Sequence, residues 1–206
     1  MVNIDIHVHT TASSCSNFFP EDLVRTASDM KVPVVVTTNH KDSVGDAAFL
    51  KENFDQKGIL YFPGLELTNE WGDFLVFGEN LDEFQGNLPE FPRHLLPDDN
   101  IAVIWAHPYR FYAYWEIEKI KHAVAPYIDA VEGINGNCMR SKPMLNDMAL
   151  ELAKQLQKPA TGGSDSHFFH SYFKAYTKFD TEISCYADFV RAIKEGRVTW
   201  GMAEKW

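Results

Sequence analysis

Val32-Pro33-Val34-Val35-Val36-Thr37-Thr38-Asn39-His40 sets the fold of this chain. Its β-branched residues are stiff at χ1 and fit a pleated, buried surface. The apolar run is continuous rather than alternating, which predicts a strand over 32–38 covered on both faces. His40 stands just past its end. Ile101-Ala102-Val103-Ile104-Trp105 repeats the pattern, with His107 two residues beyond it. On either side of these runs, further strands are expected over 2–8, 59–62, 74–77, 128–131, 159–162 and 175–179.

Helical patterns fall between them. Pro20, Glu21 and Asp22 make a first turn with a preset φ and acids at the positive dipole end, and Leu23, Ala27 and Met30 follow on one face. Leu145, Ala149, Leu152 and Leu156 form a second stripe after Pro143. Phe189, Val190 and Ile193 form a third, closed by Gly196 as a C-terminal cap. Strands alternating with helices imply an α/β fold with a parallel sheet. Eight short strands fit a closed barrel as well as an open doubly wound sheet.

The 206 residues, 45% of them hydrophobic, make one globular domain over 1–206 and exclude intrinsic disorder. The loosest stretch, 86–100, reads as a long loop within it. Nineteen basic against 29 acidic side chains give a net charge of −10, which argues against long nucleic acids as partners, because phosphate affinity comes from lysine and arginine. No apolar run reaches the roughly 20 residues a membrane span needs. Cys15, Cys138 and Cys185 are odd in number and widely spaced, unlike a disulfide framework, so a cytoplasmic setting is expected.

The eight histidines carry the most chemistry. Asp5-Ile6-His7-Val8-His9 places two imidazoles two apart on a strand, hence on one face, where both can reach one cation. Alone, such a pair is equally a pair of incidental strand residues. Other donors recur near strand ends: His40, Glu66, His107, Asp165 and His167. In a parallel barrel those ends meet at one rim. Histidines mixed with carboxylates suit Mn, Fe or Zn and argue against an all-oxygen calcium cage. Glu66 is the candidate bridge between two metals, and two or more cations holding an oxyanion beside an activated water suggest phosphate-ester hydrolysis.

Asp5-Ile6-His7-Val8-His9-Thr10, Asn39-His40, Pro63-Gly64-Leu65-Glu66, Ala106-His107-Pro108, Glu132 with Asn135, and Ser164-Asp165-Ser166-His167 resemble, in order, the motifs of the PHP (polymerase and histidinol phosphatase) domain. The likeness runs over roughly residues 1–200. It implies a distorted (β/α)7 TIM-like barrel with a metal site at the C-terminal rim of the strands, and a metal-dependent phosphoesterase. It further implies that His7, His9, Glu66 and Asp165 hold one metal, that Glu66 bridges to a second held also by His107, and that His40 and His167 hold a third. Glu66, Asp165 and His107 become the catalytic residues, with two or three divalent ions (Mn, Fe or Zn) as cofactors and a metal-bridging hydroxide as nucleophile.

The chain departs from the family pattern at three places. Thr10-Thr11-Ala12-Ser13-Ser14-Cys15 lacks the usual acid, leaving Cys15 as either a thiolate ligand or a small packing residue. Asn39 replaces an acid that could orient an imidazole. The second metal often takes another histidine between the Glu66 and His107 motifs. His94 alone lies there and reads as a surface residue, so Asp73 is the expected substitute, against solvent exposure or loop capping.

Arg110, Arg140 and Lys142 are candidates for holding the substrate phosphate, or else solvated surface charges. His122 is expected on an exposed helix face and His170 at the site mouth. Aromatic residues near the rim, Tyr109, Phe111, Tyr112, Tyr114, Trp115, Phe168, Phe169, Tyr172 and Phe173, either stack a base or sugar or simply pack. The sequence thus reads as a phosphoesterase acting on a small phosphorylated molecule or nucleotide. The alternatives are an exonuclease or oligonucleotide phosphodiesterase, and a non-catalytic metal- or metabolite-binding domain. Three divalent cations would offset six of the ten surplus negative charges.

Overall fold

The computed structural model describes residues 1–40, 45–78, 81 and 100–204. His94 and residues 86–99 of the proline-rich stretch lie outside them. The strands are β1 (Val2–Ile4), β2 (Val34–His40), β3 (Leu60–Asn69), β4 (Gly72–Gly78), β5 (Ile101–Ala106), β6 (Ala130–Asn135), β7 (Ala160–Gly163), β8 (Ala175–Phe179) and β9 (Val198–Met202). The helices are α1 (Pro20–Asp29), α2 (Ala47–Asp55), α3 (Tyr114–Val124), α4 (Gly136–Ser141), α5 (Met144–Gln155) and α6 (Tyr186–Lys194). The sequence signals did not reveal α2, α4 or β9.

Strands β2 to β7 form one curled sheet in chain order, and β1, β8 and β9 form a small antiparallel sheet in the order β1-β8-β9. The fold is mixed α/β, but the large sheet is not wholly parallel as expected. β3/β4 and β4/β5 pair antiparallel, whereas β2/β3, β5/β6 and β6/β7 are parallel. The reason is local. Only Glu70 and Trp71 separate β3 from β4, too few residues for a crossover, so the chain must return on itself. Asn69 Oδ1 accepts from the Trp71 backbone N–H at 2.8 Å, setting the turn.

Both faces of the large sheet are covered, which explains the continuous apolar runs. Val34 and Val36 point inward with Leu75, Phe77, Ala102 and Ile104, onto Ile4, Ile6 and the Phe189–Ile193 face of α6. Val35 points the other way, among Leu23 and Ala27 of α1 and Leu50 and Phe54 of α2. Trp105, Val103 and Val131 pack outward on α3 and α5. Met30 lies past the end of α1 and is 47% exposed, so it does not join that helix's buried stripe. Gly196 does close α6, at φ +69°.

The segment after β1 positions the site. Residues 5–9 run between the two edges of the curled sheet: Thr38 N–H donates to Val8 O at 2.8 Å on the β2 side, and His9 N–H donates to Ser166 O at 2.9 Å on the β7 side. Val8 and Ser166 form a parallel bridge. This segment therefore draws together residues that the sequence separates by more than 120 positions.

Candidate metal centre

Alternation along segment 5–9 buries Val8 in the α1/α2 core and sends both histidines to the opposite face. His7 and His9 are fully buried, with their Nε2 atoms 3.1 Å apart. The β2/β3 register sets His40 beside Glu66. Glu66 therefore lies inside β3 rather than after a strand ending at 62, because β3 continues to Asn69. Asp73 is the second residue of β4, opposite Ala106, and His107 follows directly after β5. Because β4 is antiparallel, its first residues reach the same rim as the last residues of β2, β5, β6 and β7. The centre thus combines strand C-termini with one strand N-terminus.

Glu66 is the hub. His107 Nε2 donates to its Oε1 at 2.9 Å, and His7 Nε2 stands 3.4 Å from the same oxygen. Its Oε2 faces His9 Nε2 at 3.1 Å and His40 Nε2 at 3.5 Å. Asp73 Oδ2 is 3.8 Å from His107 Nδ1, and the Asp73 carboxylate accepts from the Thr68 hydroxyl. Asp165 Oδ1 lies 3.6 Å from His7 Nε2, 3.5 Å from His9 Nε2 and 3.5 Å from His167 Nδ1. His107 and Asp165 both have positive φ, at +24° and +51°, a backbone state that costs of order 1 kcal/mol per residue and clusters at functional sites.

Charge balance within this buried cluster is tight. Burial alone would raise the Glu66 carboxyl, but the His7 charge and hydrogen bonds from His107, His7 and His9 hold it well below the usual range. Burial likewise opposes protonation of His7, yet Glu132, Asp165 and Glu66 raise it well above an ordinary histidine. Asp165 is pulled down by His7, with His9 and His107 behind, despite complete burial. A divalent cation would supply the positive charge that these buried acids need. At the rim, burial lowers His40 and His167, which favours the neutral ring, whose one unprotonated nitrogen can donate a lone pair.

The donors fit a divalent cation. Four groups each bring their donor atoms within 4.8 Å of one another: His7/His9/Glu66, Glu66/Asp73/His107, His9/Cys15/His167 and His7/His107/Glu132. Asp165 Oδ1 and His9 Nδ1 are buried and have no hydrogen-bond partner among the described residues. Unsatisfied buried polar atoms are costly, and a cation would satisfy them. Glu66 belongs to two of the groups, as a bridging carboxylate would.

The sequence motifs leave Glu132 without a role, and the structure supplies one. Its Oε1 accepts from His7 Nδ1 at 2.8 Å and its Oε2 from the His107 backbone N–H at 2.9 Å, aiming the His7 Nε2 inward. Gly163 makes room for this: a Cβ there would lie 2.5 Å from His7 Cβ and 2.7 Å from Glu132 Oε1. The available signal was an acid in the otherwise apolar stretch 130–134. Asp46 is a second omission. Its carboxylate accepts from the Thr10 hydroxyl and, at 3.4 Å, from Asn39 Nδ2, so it supplies an acid beside the position where Asn39 lacks one.

A cavity of about 400 Å³ opens over Glu66, Asp73, His107 and Asp165, with Phe111 and Tyr112 on its wall. A larger one of about 720 Å³ adjoins it, sharing Cys15, Arg110 and His167 and adding Arg140, Phe168, His170 and Lys174. Arg110 pairs with Asp165 Oδ2 at the junction. Lys142 lies beyond the end of α4 and lines neither cavity. Tyr109 and Tyr172 are core residues, 5% exposed each, and His122 is on α3, at the surface.

Residues 143–198 match the PHP_C family model, described as PHP-associated. The uncharacterised protein MJ0417 of Methanocaldococcus jannaschii is 28% identical over 183 residues, 86% of this chain and 70% of its own. Among solved structures, PsfC of Pseudomonas syringae superposes with a TM-score of 0.73 at 17% identity, over 99% of this chain and 92% of its own. A candidate metal-dependent phosphoesterase of Bifidobacterium adolescentis superposes at 0.56 and 17%, over 80% and 87%. An amidohydrolase of Chromobacterium violaceum, solved with sulfate and without metal, gives 0.57 and 16%, over 81% and 88%. These structures share the fold. The family match over residues 143–198, on a chain whose ordered histidine and acid motifs converge at one rim, supports a relation to the PHP-domain family.

Proposed function

We propose that this protein is a metal-dependent phosphoesterase that hydrolyses the phosphate monoester of a small molecule or nucleotide. The observation that carries the reading is the shared carboxylate: Glu66 joins two donor groups at the floor of a cavity whose wall carries Arg110. Divalent cations, when bound, supply Lewis acidity toward a phosphate oxygen and toward water. His7, His9, Glu66, Asp73, His107, Asp165 and the rim residues His40, Cys15 and His167 would hold two or three of them, and Mn, Fe and Zn suit this nitrogen and oxygen mix.

The chain's own groups do the rest. Glu132 fixes the His7 ring, and His107 is fixed by its backbone bond to the same acid. Arg110, whose charge Asp165 stabilises against burial, is placed to take a phosphate oxygen through its planar donor fork. Phe111 and Tyr112 line the smaller cavity, and the 720 Å³ space beyond Arg110 would take the rest of the substrate. No helix among the described residues is long and apolar enough to cross a membrane. All three thiols are free, in keeping with a cytoplasmic location.

The test is a hydrolysis panel of sugar, amino-alcohol and nucleotide monophosphates with a single-stranded oligonucleotide, run after Mn, Fe or Zn loading. Monophosphate turnover that disappears in Glu66→Ala and Asp165→Ala, with circular dichroism unchanged, is the expected result. Turnover of the oligomer alone would install the exonuclease reading, and full activity in either variant would defeat the metal mechanism.

A further inference from the structure

The donor groups on the two sides of the centre differ in chemical softness. Glu66, Asp73 and His107 offer two carboxylates and one imidazole, whereas His9, Cys15 and His167 offer a thiol and two imidazoles. We infer that Cys15 is a thiolate ligand of a soft-cation site, so that the centre holds two unlike metals: a zinc-like ion at His9/Cys15/His167 and a harder ion such as manganese at Glu66/Asp73/His107. This rests on reading the cluster as a metal centre and adds selectivity to it.

Four observations carry the inference. Cys15 is exposed toward the cavities, so it is not a packing residue; the buried residues of its loop are the neighbours Ser13 and Ser16. Those two serines pin the loop to both histidine-bearing segments. The Ser16 hydroxyl donates to His9 O at 3.0 Å and shares a longer contact with His167 O at 3.3 Å, and Ser13 Oγ accepts from the His40 backbone N–H at 2.9 Å. Asn17 N–H adds a bond to His167 O at 3.0 Å. The thiol is therefore held beside its partners rather than swinging freely. His167 Nδ1 already bonds the Asp165 carbonyl at 2.9 Å, which leaves its Nε2 for a cation, and His9 keeps a buried Nδ1 with no hydrogen-bond partner among the described residues.

Thiolate with imidazole favours zinc and its close analogues, while two carboxylates favour harder ions. On binding, the Cys15 S–H bond breaks, its proton leaves to bulk water, and the sulfur lone pair forms the bond to the metal.

Cobalt(II) reports the difference. Titrating the metal-free, full-length protein with Co²⁺ is expected to give visible d–d bands together with a near-ultraviolet sulfur-to-cobalt charge-transfer band. One equivalent of Zn²⁺ should erase the charge-transfer band and Mn²⁺ should not. Cys15→Ser is expected to lose that band, keep the d–d bands, and bind zinc at least about tenfold more weakly with manganese affinity unchanged. Cys185→Ser, which removes a thiol at the head of α6, should behave as the parent. Alkylation of the unaltered protein gives an independent reading: Zn²⁺ should protect Cys15 and leave the exposed Cys185 reactive, whereas Mn²⁺ protects neither. Cobalt binding with no charge-transfer band, or zinc that fails to protect Cys15, would overturn the thiolate site while the metal centre stood. Absence of any cobalt binding would overturn both readings.

Discussion

The two sides of the centre are held by different means. Glu66 and Asp73 stand on paired strands, where the β2/β3, β3/β4 and β4/β5 registers fix each residue against two neighbours. Cys15 and His167 stand on loops, held by Ser13, Ser16 and Asn17 through a few hydrogen bonds. A sheet distributes positional control over many backbone bonds, so its donors tolerate loss of any one support. A loop concentrates control in single side chains. Damage on the strand side should therefore come mainly from changing the donors, and on the loop side from changing their supports as well.

The largest effect is expected at the shared carboxylate. Glu66→Gln keeps the shape and hydrogen-bonding reach of the side chain but removes the charge that serves both donor groups. Turnover should fall by about 10²–10³-fold, a loss typical of removing one key electrostatic contact. Metal content measured by elemental analysis should fall with it. Retention of full metal content and rate would show that Glu66 is a structural acid.

Next comes Glu132, a strand-borne side chain on which two histidines outside the strands, His7 and His107, both depend. Glu132→Gln exchanges a carboxylate that accepts from both His7 Nδ1 and His107 N–H for an amide with one acceptor. A loss of about 10–100-fold in metal affinity is expected, as for other partners of metal-bound histidines. Gly163→Ala should act through the same contact, since its methyl group would strike His7 Cβ and Glu132 Oε1. Isothermal titration with Mn²⁺ and Zn²⁺ checks both variants. A change confined to thermal stability would make Glu132 a fold residue only.

Ser16→Ala tests the loop side. It removes donation to His9 O and His167 O and the acceptor for Phe18 N–H at 3.1 Å. Stability should drop by about 1 kcal/mol, the usual net worth of such bonds. The zinc-like cation should weaken more than the manganese-like one, and equal weakening of the two would erase the contrast between the sides.

Much of this was legible from residue order, because strand ends carry their meaning in the sequence. The run to His40 and the run to Trp105 with His107 beyond identified two rim positions directly. The match weakened where long-range pairing decided the geometry. Nothing in 63–78 announces that β3 runs to Asn69 and returns as β4, so the sequence alone sets Glu66 at a strand end and implies a parallel sheet. The position of Asp73 in the sequence suggests a donor, but only antiparallel pairing brings the start of β4 to the rim. Glu132 and Asp46 act through tertiary hydrogen bonds, which have no periodicity to detect. Arg110, Arg140 and Lys142 looked alike as charges, and only the fold separates them.

That last separation yields the smallest expected effect. Arg140 is exposed but lines the 720 Å³ cavity, three residues after Asn137, whose side chain donates to the Asp165 carbonyl at 2.7 Å. Lys142 follows two residues later and lines neither cavity. An exposed ion pair contributes at most about 1 kcal/mol, so Arg140→Ala should raise KM about two- to fivefold with kcat unchanged. Lys142→Ala should change neither constant. Because Arg140 lines the larger cavity and Glu66 the smaller, with Arg110 shared between them, its effect should also grow with substrates that are anionic beyond the scissile phosphate. An equal KM for both variants across such substrates would place the substrate body somewhere other than the larger cavity.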